Sequence, residues 1–194
     1  MTRKIVLASN NAGKLKEFFQ ILSPLNISLH AQAELSVPEV EETYFTFVEN
    51  ALLKARHASR ITGLPALSDD SGLCVNALNG APGVLSARFA GEPKSDSRNN
   101  ALLVSTLEPY QDKSAYYYCV LVYVRSESDP QPVIADGCWY GEIVSDPRGE
   151  HGFGYDPHFW IPSLELTVAQ LSPAQKNTFS HRGQALRALF EKLR

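Results

Sequence analysis

Lys4-Ile5-Val6-Leu7-Ala8-Ser9-Asn10-Asn11-Ala12-Gly13-Lys14-Leu15 decides the architecture. Lys4 to Ala8 is a short β-branched run, and Ser9 to Gly13 interrupts it with small and polar residues. Beyond it, Leu15, Phe18, Phe19 and Leu22 recur at helical spacing, and Pro24 marks the stop. The pattern is strand, tight loop, helix. Such a loop exposes backbone N–H groups at a helix N-terminus with a lysine beside them, which is a recipe for holding phosphates. It is not a P-loop: Ala8 occupies the position of the first glycine, and Leu15 that of the Mg²⁺-binding Ser or Thr. An ordinary strand–helix turn with a solvated lysine is the competing account of this segment taken alone.

Working outward, a longer helix is expected over 44–62, with Phe45, Val48, Leu52, Ala55 and Ser59 as its mostly apolar stripe. Thr46 and Glu49 form a capping box if that helix begins slightly later, and Gly63 and Pro65 end it. Leu64 to Ser68 reads as a short strand running into the turn-like Asp69-Asp70-Ser71-Gly72, and Ala101 to Leu107 suggests a further helix. Two β-like runs, Ser114 to Arg125 and Val133 to Ser145, flank a hairpin-like connection at Asp129-Pro130-Gln131-Pro132. Gly152 to Pro157 is a loop, and a last helix covers about 182–192. Strands and helices interleave, so the expected class is α/β with a mixed sheet.

The 194 residues fit one domain, or two lobes around a single cleft, and 44% hydrophobic content is enough for a sizeable core. A net charge of −3 argues against wrapping a nucleic-acid backbone, which needs a basic footprint. It leaves open a small phosphate ligand, for which local cations suffice. Cys74, Cys119 and Cys138 form no CxxC pair and no zinc-ligand spacing, so they read as buried small hydrophobes in a reducing compartment. Met1-Thr2-Arg3-Lys4 is followed by only a brief apolar stretch, too short for a signal peptide, and no segment reaches transmembrane length. The expected location is cytoplasmic, away from membranes.

Four further segments carry chemistry. In Glu39-Val40-Glu41-Glu42-Thr43 the acids either stabilise the following helix N-terminus or ligate a hard cation. Asn50 and Lys54, four apart, share one face of that helix. Asp69 and Asp70 follow a short apolar strand, where α/β sheets bind ligands and where an acid can activate water. Gly152-Phe153-Gly154-Tyr155-Asp156-Pro157 offers flat aromatic faces and close backbone approach, as a nucleobase requires. Lys176 and Ser180-His181-Arg182-Gly183 supply donors suited to an acceptor oxygen on a purine. A turn, a glycine-rich hairpin and a helix cap are the plain alternatives for the last three.

Taken in order, six stretches resemble the inosine/xanthosine triphosphate pyrophosphatase family: Ser9 to Lys14; Glu41-Glu42-Thr43 with Phe47 to Ala55; Ser68 to Leu73; Gly80-Ala81-Pro82-Gly83 with Ser86-Ala87-Arg88; Gly152 to Pro157; and Ser180 to Gly183. They run nearly from end to end of the chain. The family's phosphate loop usually begins Thr-Gly-Asn, so Asn10 replaces a glycine here. The resemblance implies an α/β fold with an elongated, mixed, twisted sheet, flanking helices, two lobes around a central active-site cleft, and a homodimer.

It implies Mg²⁺-dependent hydrolysis of nonstandard purine nucleoside triphosphates (ITP, dITP, XTP) to monophosphate and pyrophosphate. Ser9, Asn10, Asn11, Ala12, Gly13 and Lys14 would hold the triphosphate, with Lys54 a further phosphate contact. Glu41 and Asp70 would bind Mg²⁺, Asp70 also accepting the proton of the attacking water, and Ser71 would touch substrate. Phe153, Gly154, Tyr155 and Asp156 would line the base and sugar pocket, and Lys176, His181 and Arg182 would read the 6-oxo edge. A pyrophosphatase for modified pyrimidine nucleotides and a nucleotide sensor without turnover remain the rivals.

Overall fold

The computed structural model describes residues 3–22 and 27–193. Met1, Thr2 and Pro24, on which the N-terminal and helix-stop expectations partly rest, lie outside them. Among the described residues, seven strands form one mixed, twisted sheet in the order β2-β1-β3-β4-β5-β6-β7. These are β1 Arg3–Leu7, β2 Ile27–Ala31, β3 Ala66–Val75, β4 Ser114–Val124, β5 Val133–Ile143, β6 Phe159–Ile161 and β7 Leu166–Thr167. β1 is parallel to both β2 and β3, whereas β6 is antiparallel to β5 and β7. The helices are α1 Ala12–Leu22, α2 Phe47–Thr62, α3 Asp96–Leu107, α4 Pro173–Phe179 and α5 His181–Leu193. Among the described residues no helix is long and apolar enough to cross a membrane. The chain divides into two compact units, 1–70 with 119–137 and 182–194, and 71–118 with 138–181.

In the first unit, Ile5, Leu7, Leu67, Leu121 and Tyr123 of the sheet pack with Phe18 and Leu22 of α1 and Leu186 and Leu189 of α5. Ile5, Val6 and Leu7 are all buried, as expected of a parallel strand covered on both faces. α2 starts at Phe47, because the Thr46 hydroxyl accepts from the Glu49 N–H at 3.3 Å. Gly63 ends it in the left-handed conformation at φ 67°. Its buried face is not the stripe the spacing suggests: Asn50, Ala51, Ala55, Ala58 and Ser59 are buried, and Phe45 is 94% exposed. Small residues allow close helix–sheet approach, and the Ser68 hydroxyl of β3 donates to the Ala51 carbonyl of α2. At the β4–β5 connection Asp129 accepts from the Arg125 and Gln131 backbone N–H groups at 2.9 and 3.0 Å, which shapes the turn.

β3 departs from expectation. It does not stop at Asp69 but runs on through Asp70-Ser71-Gly72 to Val75. Nearly every residue of β3 is buried, so backbone pairing wins over the turn propensity of Asp, Ser and Gly. The alternation of a strand then sends Asp69 and Asp70 to opposite faces.

In the second unit, Leu73, Val75, Leu103, Leu107, Tyr117, Trp139, Phe159, Ile161 and Val168 form the core. α3 begins earlier than its apolar run, with Ser95 as N-cap accepting from Arg98 N–H at 3.3 Å. α4 was not expected, although its signal is present: Ser172 and Gln175 form a capping box around Pro173 at the first turn.

Candidate active site

The first unit holds a buried cluster of charges beside the Ser9–Lys14 loop. The Asn11 side-chain oxygen accepts from Lys14 N–H at 3.0 Å, and Ala8 N–H pairs with Leu67 at 2.8 Å, so the loop is pinned at both ends. Asn10, Asn11 and Ala12 are exposed while Gly13 and Lys14 are half-buried, which leaves loop backbone open to a ligand. The Lys14 ammonium lies 2.9 Å from Asp69, on the face of β3 that also meets Arg182. Arg182, 1% exposed, donates to Asp69 at 3.1 Å and to Glu17 of α1. Burial alone would raise the Asp69 carboxyl, but Lys14, Arg182 and Lys54 outweigh it and hold the group well below the usual carboxylate range.

On the opposite face of β3, Asp70 meets Lys54 of α2 at 3.9 Å, and the same ammonium is paired with Glu42. Burial pushes Asp70 up to about 6; Lys54 and Lys14 oppose the shift, and Glu42 and Asp69 add to it. Burial disfavours the charge on Lys54 too, yet Asp70, Asp69 and Glu42 together keep it above its ordinary value. A carboxylate titrating near neutrality is suited to accept a proton from water. Glu42 and Asp70 converge on one cation with hard oxygen donors, a set that fits Mg²⁺. Among the described residues no group of three or more His, Cys, Asp and Glu gathers around a metal position. Mg²⁺ needs no such group, because it binds through one or two carboxylates plus substrate phosphates.

The second unit carries the other cluster. Asp156, 2% exposed, accepts from Lys176 at 2.6 Å, from the Tyr117 hydroxyl at 3.1 Å and from the Phe153 N–H at 3.0 Å. The Lys176 ammonium sits 4.4 Å from the Phe153 ring centroid, and His181 stacks on Tyr117 at 4.8 Å with the rings 14° apart. Asp96 accepts from Gly154 N–H at 2.7 Å and Asn100 donates to its carbonyl at 2.9 Å, so α3 grips the loop backbone. Tyr155 is 4% exposed, and its hydroxyl donates to the Ser86 carbonyl at 2.8 Å. Gly152 has φ 80°, and a Cβ there would overlap the Asp156 carboxylate. Gly152→Ala is therefore expected to lower stability by about 1–3 kcal/mol. Calorimetry checks this through a melting temperature reduced by roughly 2–4 °C per kcal/mol.

The sequence model of the Ham1 family matches residues 5–192. The chain belongs to the Ham1 family. Proteins described as dITP/XTP pyrophosphatases from Ralstonia nicotianae and Chromobacterium violaceum are each 61% identical to it. The first alignment covers 99% of this chain and 97% of that relative, the second 100% and 98%. Among solved structures, a HAM1 protein from Coxiella burnetii superposes with a TM-score of 0.92 at 50% identity, covering 99% of this chain and 98% of the other. The Staphylococcus aureus Ham1 protein does so with a TM-score of 0.88 at 42% identity, each chain being 98% covered. The resemblance seen in the six motifs and the α/β class with a mixed sheet are both borne out.

The expected site residues fall into two groups. Ser9 to Lys14, Lys54, Asp70 and Arg182 belong to the first unit; Ser71, Phe153 to Asp156, Lys176 and His181 belong to the second. Two of them have surroundings that the motifs do not disclose. Glu41 is exposed, and its neighbour Glu42 is the acid that meets Lys54. Arg182 is engaged with Glu17 and Asp69 in the first unit. Glu17, Tyr117, Asp96 and Asn100 were missed. Helical spacing put Glu17 only in an amphipathic helix, and the other three lie far in sequence from the groups they hold.

Proposed function

We propose that this chain is a nucleoside-triphosphate pyrophosphatase. It hydrolyses nonstandard purine nucleotides (ITP, dITP and XTP) to the monophosphate and pyrophosphate with Mg²⁺. The observation that carries this reading is the convergence of Glu42 and Asp70 on Lys54, with Lys14 of the loop paired to the adjacent Asp69. The names of the relatives at 61% identity support the substrate class.

Lys14, Lys54 and the N–H groups of the Ser9–Lys14 loop bind the triphosphate and offset charge developing on its oxygens. Asp70, whose carboxyl is lifted toward neutrality, takes the proton from the water that attacks the α-phosphorus, and pyrophosphate leaves. Glu42 and Asp70 would hold Mg²⁺, which supplies Lewis-acid stabilisation of the phosphate oxygens when bound. Arg182 acts on this side as well, by holding Asp69 against Lys14. On the base side, Phe153 provides the stacking face, and Lys176 and His181 the donors for O6. Adenine presents a donor at that position and leaves those buried groups unmatched.

Pyrophosphate release is measured from ITP, dITP, XTP, GTP and ATP, each with Mg²⁺ and with EDTA. The expected result is a preference of about 10⁴-fold for the first three over ATP, and no release in EDTA. Equal rates across the panel would sink the substrate assignment, and full activity in EDTA the metal.

A further inference from the structure

The acidic stretch before α2 has no regular structure from Val37 to Tyr44, yet it carries Glu42 into the charged cluster. What holds it is one face of α2. Asn50 is 1% exposed, and its side-chain amide both accepts from Tyr44 N–H and donates to Tyr44 C=O, each at 3.1 Å. One turn further on, Lys54 meets Glu42; one turn beyond that, His57 meets the Pro38 carbonyl at 2.9 Å. Positions 50, 54 and 57 therefore take Tyr44, Glu42 and Pro38 in reverse order, so the acidic strap runs antiparallel along the helix.

Asparagine is a poor helix former, and burying its amide costs free energy unless every polar atom is matched. Here the oxygen and nitrogen are both spent on the backbone of a single residue, two positions from Glu42. A planar amide bonded to a peptide group in this two-point manner fixes the position and the orientation of that group. Meanwhile Ser68 ties Ala51, next to Asn50, onto β3 just before Asp69 and Asp70. The chain of contacts from β3 to α2 to Asn50 to the strap sets where Glu42 stands relative to Asp70.

We infer that Asn50 is the positioning residue of the metal site: it places Glu42 to share a divalent cation with Asp70. This rests on the proposed reading of Glu42 and Asp70 as the Mg²⁺ carboxylates. The Asn50 amide is engaged with the Tyr44 backbone, so its effect on this assignment passes through Glu42. Asn50→Leu removes both amide contacts and keeps the heavy-atom count and the branching at Cγ. Tyr44 is 46% exposed and lies outside the core, so the fold is expected to persist.

The test uses the full chain and two readouts. Mn²⁺ binding without nucleotide is followed by electron paramagnetic resonance, and pyrophosphate release is titrated with Mg²⁺. In Asn50→Leu, Mn²⁺ affinity is expected to fall about 10-fold and the half-saturating Mg²⁺ concentration to rise by a similar factor. Raising Mg²⁺ should restore kcat to within about 3-fold, with nucleotide KM at saturating Mg²⁺ unmoved, a pattern that general loss of structure would not produce. In a Glu42→Gln background, Asn50→Leu should cost little more, since both changes strike the same ligand. Asn50→Asp keeps the acceptor but loses the donor and should fall between wild type and Asn50→Leu. Wild-type Mn²⁺ affinity in Asn50→Leu, a kcat loss that Mg²⁺ does not restore, or full additivity with Glu42→Gln would each overturn the assignment. If Mn²⁺ affinity falls as expected but the wild-type chain releases no pyrophosphate from any nucleotide, Asn50 keeps its role and the hydrolase reading fails instead.

Discussion

Arg182→Met is expected to lower the melting temperature by roughly 6–20 °C, from a loss of about 3–5 kcal/mol at about 2–4 °C per kcal/mol. Arg182 is 1% exposed and is paired with Glu17 and Asp69, themselves 7% and 1% exposed. Removing the guanidinium leaves two carboxylates in a site that water does not reach, and an uncompensated buried charge is far costlier than the pair was worth. Asp69 retains Lys14, but Glu17 loses the guanidinium paired with it. A second change therefore separates charge from packing. In Arg182→Met with Glu17→Met, an apolar pair replaces an ionic one, and most of the lost stability should return. Turnover should not return with it, because Asp69 no longer has the contact that orients it toward Lys14. A melting temperature within 2 °C (about 1 kcal/mol or less) of wild type for Arg182→Met would show that this network does not hold the first unit together.

Asp70→Asn is expected to reduce kcat by at least about 10²-fold, the lower end of what a positioned general base contributes, with no loss of stability. Glu17, Glu42, Asp69 and Asp70 bring four acids to a cluster that Lys14, Lys54 and Arg182 serve with three cations. Burial resists the ionisation of Asp70, with its carboxyl pushed up to about 6. The ordinary value is about 3.9. A folded-state value above the unfolded one means that the folded chain binds the proton more tightly. The contribution of Asp70 to stability is thus fully present below about pH 4 and is lost as pH rises through about 6. Above that range ionised Asp70 burdens the fold, and a neutral asparagine of the same shape does not. In EDTA at pH 7.5, Asp70→Asn should melt no lower than wild type, and any advantage should shrink as the pH approaches 4. A variant with near-normal kcat would remove Asp70 from the chemistry. A variant that melts well below wild type would show that its charge stabilises the cluster.

The contrast between these two residues shows what the sequence discloses. Asp70 stood out because acids following an apolar run are a local signal, and Ser9 to Lys14 because small and polar residues punctuate a periodic pattern. The Thr46 cap of α2 and the long strands β4 and β5 were legible for the same reason. Arg182 and Glu17 lie 165 positions apart, and no window of periodicity connects them. That Glu42 rather than Glu41 meets Lys54 depends on the direction of a side chain in an irregular strap, where neither helical nor strand alternation applies. The extent of β3 was hidden because Asp-Asp-Ser-Gly has turn chemistry that burial overrode. Phe45 was assigned to a buried stripe on hydrophobicity alone, whereas α2 packs through alanines that let it lie close to β3.

The grip on Asp156 has an evolutionary corollary. Tyr117, one of its donors, is itself part of the second unit's apolar core, packed at 4.5 Å against Phe159. Lys176 in turn depends on Asp156 for its charge partner. If Lys176 reads the base as proposed, replacing it to favour another nucleobase would remove the cation paired with Asp156 and perturb the hydrophobic interior behind it. New base preferences should emerge first in sequence backgrounds already carrying surplus stability.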